Sequence, residues 1–472
     1  MQKNYILPLI LSIIGIFIFI VTFKISIGLE YLPFFLLVGV FLFSLIFIFN
    51  ENRIISYIFS IYMIFTIGYL VLNSEMVRSN DYSKLVQERD ANLSTFNTKE
   101  KDVRRVTLSM ALAVADKLIS SKVNGVLISS QYEVDANMAT VQEVNGELVW
   151  VIPIDYSSFF KWLNNDHIPG YIKISATVPN KKPELVFDKK IILSNNGFFA
   201  NNIDRQVWYF SGFKRTKTHF EINDKNVPYY ISAILQPEIG FNADTVVAII
   251  VTEAETGKME KLTLSETKEK YPWIDRYWPK NIVKERIEWN GLYKENNFFE
   301  AKFVGENVSV PTSYNRQELF LVKLNNSLNW FTGMTSANSD KSLISVVMVE
   351  ASSIEDIPTI HTFEMNQVSD ESGALESIES KLPAKRVPLS AVLPQPYFVD
   401  NEFYWTATII SNNRYNNKAY IKGDDISAVT FNSFKKYVPQ IDRKEETKET
   451  VMDQIIQTIK KLEELRTKYE SM

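Results

Sequence analysis

Three strings open the chain: YILPLILSIIGIFIFIVTF (residues 5–23), YLPFFLLVGVFLFSLIFIF (31–49) and IISYIFSIYMIFTIGYLVL (54–72). None contains Asp, Glu, Lys or Arg. A helix needs about 20 apolar residues to cross a bilayer, and backbone polar groups cannot stay unpaired in lipid. The strings therefore predict three transmembrane helices within residues 1–73. Charges lie only at their edges, at Lys3, Lys24, Glu30, Glu51, Arg53, Glu75 and Arg78. Tyr5, Tyr31, Tyr57 and Tyr69 lie towards span ends, where an amphipathic ring suits the headgroup layer. The linkers at 24–30 and 50–53 are short, so neighbouring spans are expected antiparallel. A plain Lys/Arg count points to a cytoplasmic body, and the charges around the first span point the other way.

The rest of the 472-residue chain is polar enough to leave the membrane and long enough for two or three domains. Its formal net charge of -4 offers no electrostatic case for nucleic acid. The absence of cysteine excludes disulfides, thiolate metal sites and cysteine nucleophiles. His167, His219 and His361 are far apart in sequence and have no metal-binding spacing. No cofactor is expected.

Residues 74–125 read as a polar stalk followed by an amphipathic helix over Val106–Leu118. Two regions, 126–310 and 311–436, then alternate short β runs with turn residues. Asn145-Gly146 between two such runs is a strong hairpin signal. Helices are expected at Asn202–Phe210, in part of Ser265–Ile287, and at Glu371–Ser380. Four times an Asn- or Asp-rich turn precedes an aromatic that opens a β run: before Trp150, Tyr229, Trp330 and Phe403. This reads as a degenerate hairpin module used repeatedly. The expected fold class is α+β, with repeated small antiparallel sheets behind the three membrane helices. Residues 437–472 read as a charged linker and a C-terminal helix, Glu449–Met472. Its near-heptad stripe of Met452, Ile455, Ile459 and Leu462 offers a homo-oligomer contact.

The hairpin Phe220–Leu235, the strand from Val247 and the turn Glu253-Ala254-Glu255-Thr256-Gly257 resemble a PepSY-type module. Together with Trp273-Ile274-Asp275-Arg276 and Thr332-Gly333-Met334-Thr335, they look like a family of uncharacterised membrane-anchored proteins of bacteria and phages. The resemblance implies an extracytoplasmic body and brings no known activity.

Catalytic signals are weak. Ser336, Ser339, Asp340 and Lys341 cluster in a polar turn, where a solvated loop outweighs a Ser–Lys dyad. Glu253 and Glu255 sit at a strand end, with no second carboxylate at a readable spacing. The densest aromatic cluster holds Trp273, Asp275, Arg276 and Trp278. It reads either as a binding platform or as a hydrophobic lid over a sheet. The expected function is a membrane-anchored, non-catalytic interaction or structural protein with membrane lipid and a protein partner. The alternative is an envelope peptide- or glycan-binding module, or a regulator of a peptidase. A groove beside Trp273 and Trp278 would favour the alternative.

Overall fold

The computed structural model describes residues 53–433, apart from 93, 95, 124–125, 314–318, 338–340 and 385–386. Its helices are α1 (Arg53–Leu72), α2 (Glu75–Ser83), α3 (Leu108–Ile119), α4 (Phe159–Leu163), α5 (Ile203–Phe210), α6 (Leu264–Lys270), α7 (Lys280–Tyr293) and α8 (Glu371–Ser380). The two strings at 5–23 and 31–49, and the C-terminal helix expected at Glu449–Met472, lie outside the described residues.

Among the described residues strand outweighs helix, 41% to 26%, and the strands form several separate sheets. The expected α+β class is therefore corrected to a mostly β, multi-sheet architecture. The membrane reading is corrected as well. Among the described residues no helix is long and apolar enough to cross a membrane. Hydropathy counts apolar residues without asking what the helix touches. At the end of α1 one ring meets the body, Tyr69 lying 5.2 Å from Phe241, while Val71 and Leu72 stay exposed. The expected transmembrane helix at 54–72 is therefore withdrawn, and the described residues give no support to the expected integral place in the cell membrane.

Residues 74–103 do not form a stalk. Glu75 accepts hydrogen bonds from Trp289 Nε1 (3.0 Å) and the Tyr293 hydroxyl (2.6 Å) of α7. Lys294 pairs with Glu88 at 2.7 Å. Charges that look solvated in the sequence find partners on α7. The short strand Gln87–Asp90 then joins a sheet edge, parallel to Thr359–Ser369.

That six-stranded sheet runs Gln87–Asp90, Thr359–Ser369, Ser342–Glu350, Ser327–Ser336 and Ser309–Pro311, with Phe320–Leu324 also paired to Ser327–Ser336. A five-stranded sheet is built on the long central strand Glu147–Tyr156, which pairs Tyr132–Val134, Thr140–Val144 and Tyr171–Ser175. Two four-stranded antiparallel meanders complete the main layers, over Arg215–Leu262 and Ser390–Phe431.

Two-residue turns set the register at four hairpins. Asn145-Gly146, Asn325-Asn326, Asp400-Asn401 and Asn412-Asn413 all have positive φ, as the right-handed twist of flanking strands demands. Asn and Asp tolerate that left-handed region better than other side chains. The apolar faces close two main cores. One joins the five-stranded sheet, the meander Arg215–Leu262 and helices α3 and α7. The other lies under α8, where Phe331 and Phe403 pack edge-on against Trp405 at 5.8 and 5.0 Å.

Candidate functional site

The segment 273–279 links α6 to α7 across the seam between sheets. Thr263 and Glu266 form a reciprocal cap that starts α6. After α6 ends, the chain doubles onto the six-stranded sheet: the Tyr277 and Trp278 amides both donate to the Ala351 carbonyl, at 2.8 and 3.1 Å. Trp278 is fully buried and donates Nε1 to Ser353 O at 3.1 Å. Its own carbonyl accepts from Trp330 Nε1 at 3.0 Å. Trp278 thus closes a core.

Trp273 is placed differently. It is half-buried, with one side against Tyr229 at 4.9 Å and an edge against Tyr271 at 6.2 Å. Together with Asp275 it lines a concavity of about 370 Å³. Three hairpin turns from three different sheets converge there. They contribute Asn145 and Gly146, Asp224, and Asn326 and Ser327. The first two turns are tied directly, Asn145 N donating to Asp224 Oδ1 at 2.8 Å.

Asp275 and Arg276 point into a buried ionisable cluster beneath the concavity. Asp275 Oδ2 accepts from the Glu143 amide at 2.5 Å, and the Asp275 amide donates to Glu221 Oε2 at 3.3 Å. The Arg276 guanidinium lies 3.8 Å from Glu221 Oε1. The same oxygen is 2.8 Å from His219 Nε2. Burial raises the Glu221 carboxyl above the carboxylate range, against the pull of Arg276. Burial, then the charge of Glu221, holds Asp275 well above its ordinary value. Burial and Arg276 push His219 down. The Arg276 charge favours the ionised form of both carboxyls, and burial outweighs it at each.

A second buried bridge completes the floor. Lys323 is almost fully buried and pairs with Glu143 at 2.8 Å and Asp102 at 3.4 Å. Glu143 of the lining is thus met by Lys323, while Arg276 Nε and Nη2 behind it are buried without a hydrogen-bond partner. Only Asp275 of the carboxyl pair lines it; Glu221 is fully buried behind. Among the described residues no group of three or more His, Asp or Glu could hold a metal ion.

The structure brings Trp273 and Asp275 to one surface and takes Arg276 and Trp278 inside. The sequence reading missed His219, Glu221, Glu143 and Lys323. A signal existed at Glu221: a charged residue between Phe220 and Ile222, in a strand whose neighbours are all buried, requires an internal partner. The other candidates do not assemble. Ser339 and Asp340 lie outside the described residues. Lys341 is exposed and pairs with Glu376 at 2.8 Å, so it is not the desolvated amine a Ser–Lys dyad requires. Glu253 accepts from Thr256 Oγ1 at 2.7 Å and Glu255 from the Lys190 amide at 3.1 Å, both shaping turns. Val247–Gly257, which carries the PepSY-type resemblance, forms most of a meander strand and its turn, with Gly257 at positive φ. No family model, no curated protein and no solved structure matches the chain.

Proposed function

We propose that the chain is a non-catalytic binding protein whose concavity at Trp273 takes a short, neutral, hydroxyl-rich ligand, that is, a glycan of a few rings. One observation carries this reading: a half-buried indole stands beside neutral amides and hydroxyls at a rim made by three hairpin turns. Asn145, Asn326 and Ser327 offer amides and hydroxyls at the rim, and the indole offers a flat apolar surface to sugar C–H faces. Of the charged side chains in the lining, Glu143 is already held by Lys323 at 2.8 Å and Lys268 lies 3.8 Å from Glu350, which favours a neutral ligand. The volume of about 370 Å³ is at the small end of ligand pockets. Catalysis is not proposed, since the second carboxyl of the pair has no access to the concavity.

The test is calorimetric titration of the full chain with neutral oligosaccharides of two to four residues, repeated with Trp273→Ala. The expected result is saturable binding of at least one, weakened about tenfold or more by the substitution. Trp273→Phe should restore part of it. No binding across the panel, or binding that Trp273→Ala leaves unchanged, overturns the proposal.

A further inference from the structure

Arg104 and Arg105 precede α3 as neighbours in an extended segment and meet opposite fates. Arg105 is fully paired: its guanidinium donates to Thr406 Oγ1 at 2.7 Å, the Tyr420 hydroxyl at 2.9 Å and Glu100 Oε1 at 3.2 Å. Arg104 is only 6% exposed, yet its Nε has no hydrogen-bond partner. Its backbone is pinned by Gln395, whose amide oxygen accepts from Arg104 N at 3.3 Å and whose Nε2 donates to Arg104 O at 2.7 Å. Burial alone lowers the guanidinium, to about 10, so it stays charged at neutral pH. A buried guanidinium nitrogen without a partner is a standing cost to the fold.

Arg104 lines a cavity of about 490 Å³ that no part of the glycan reading uses. The N-terminus of α3 opens into the same cavity, through Thr107, Leu108 and Ser109. Thr107 Oγ1 caps the Met110 amide at 3.2 Å. The amides before it have no acceptor within the helix, as at any helix start. The first turn of α3 carries no acidic residue, so the positive end of its dipole has no internal anion either. The other walls are mostly apolar, Leu112, Trp150, Phe320, Leu393 and Ile410, with Asn413 as the one further polar residue of the lining. Two sources of positive potential thus face one largely apolar chamber, and no acidic residue lines it.

We propose that this cavity binds a small monocarboxylate with an apolar body, its head on Arg104 and the first-turn amides of α3 and its tail along Leu112, Trp150 and Phe320. The guanidinium fork matches the two oxygens of a carboxylate. A single fixed positive charge in apolar walls favours a monoanion over a phosphate dianion, which would bring in unpaired charge.

The test is calorimetric titration of the full chain with sodium octanoate, 1-octanol and inorganic phosphate, on wild type, Arg104→Met, Leu112→Phe and Trp273→Ala. Octanoate is expected to bind one to one, with octanol and phosphate each weaker by about tenfold or more. Arg104→Met should remove that preference for octanoate over octanol, and Leu112→Phe, which fills the apolar end, should weaken both. If Arg104→Met does not fold, Leu112→Phe decides: lost octanoate binding supports the site and unchanged binding overturns it. Absence of octanoate binding, equal binding of octanol or phosphate, or an unaffected Arg104→Met overturns the proposal. Trp273→Ala should leave octanoate binding intact; its loss would move the carboxylate to the other concavity and also overturn the site.

Discussion

Glu371, the first residue of α8, is 1% exposed, and neither carboxyl oxygen has a hydrogen-bond partner. Burial raises it to about 7. An unfolded glutamate titrates near 4.3. Between those values the native state holds a proton that the unfolded state has lost. The contribution is therefore fully present below about 4.3 and is lost as pH rises towards about 7, an effect of about 3 kcal/mol. Urea melts of wild type and Glu371→Gln at pH 5 and pH 8 should show it: wild type loses more stability between the two than the variant does, by roughly that amount. Equal losses would mean that Glu371 is solvated in the native state. Asp155 is raised to about 6 by burial and adds to the same trend. His219, pushed down by burial and Arg276, opposes it on the acid side, because protonating it below its ordinary range costs stability.

At the scale of elements, turns and caps do most of the specifying. Asn145-Gly146, Asn325-Asn326 and Asp400-Asn401 set strand registers through the backbone they tolerate, and each was legible as a turn. The pair Asn412-Asn413 carries the same signal and joins Glu402–Ser411 to Arg414–Lys422. Helix ends were legible too: Asn202 caps α5 by accepting from the Arg205 amide at 3.0 Å, and Asp370 caps α8 by accepting from the Gly373 amide at 2.8 Å. Gly170 was not legible, because its requirement lies across a strand pair. A Cβ built there would stand 1.8 Å from the Val186 carbonyl oxygen. Gly170→Ala must push Tyr171–Ser175 away from Glu184–Val186, and the expected cost is about 2 kcal/mol or more. A thermal or urea midpoint equal to that of wild type would contradict this contact.

At the scale of the whole molecule, Lys323 and Arg286 hold layers that the sequence keeps far apart. Lys323, in Phe320–Leu324, reaches Glu143 of the five-stranded sheet and Asp102 of the segment before α3. Arg286 of α7 donates to Leu85 O at 2.9 Å and to Asp244 O at 2.8 Å. Lys323→Met leaves two carboxylates, at Glu143 and Asp102, without their cation, so a loss of about 3 kcal/mol is expected. Restoring part of it with Asp102→Asn in the same chain would identify unpaired charge, and not lost packing, as the cause. A single variant as stable as wild type in urea would show that the bridge contributes nothing net.

What the sequence determined by itself was local: where turns fall, where helices start, which runs are strands, and that thiol chemistry is excluded. These follow from backbone preferences and apolar periodicity, which act over a few residues. Only the tertiary structure decided the rest. It placed Gln87–Asp90 beside Thr359–Ser369, put Trp278 in a core while leaving Trp273 at a surface, and gathered Glu221, Asp275 and Arg276 under three hairpins. It also left Arg104 Nε without a hydrogen-bond partner while its neighbour Arg105 donates to Thr406, Tyr420 and Glu100. Hydropathy over 54–72 could not report that Tyr69 meets Phe241, because a count of apolar residues says what a helix can bury and not what it meets.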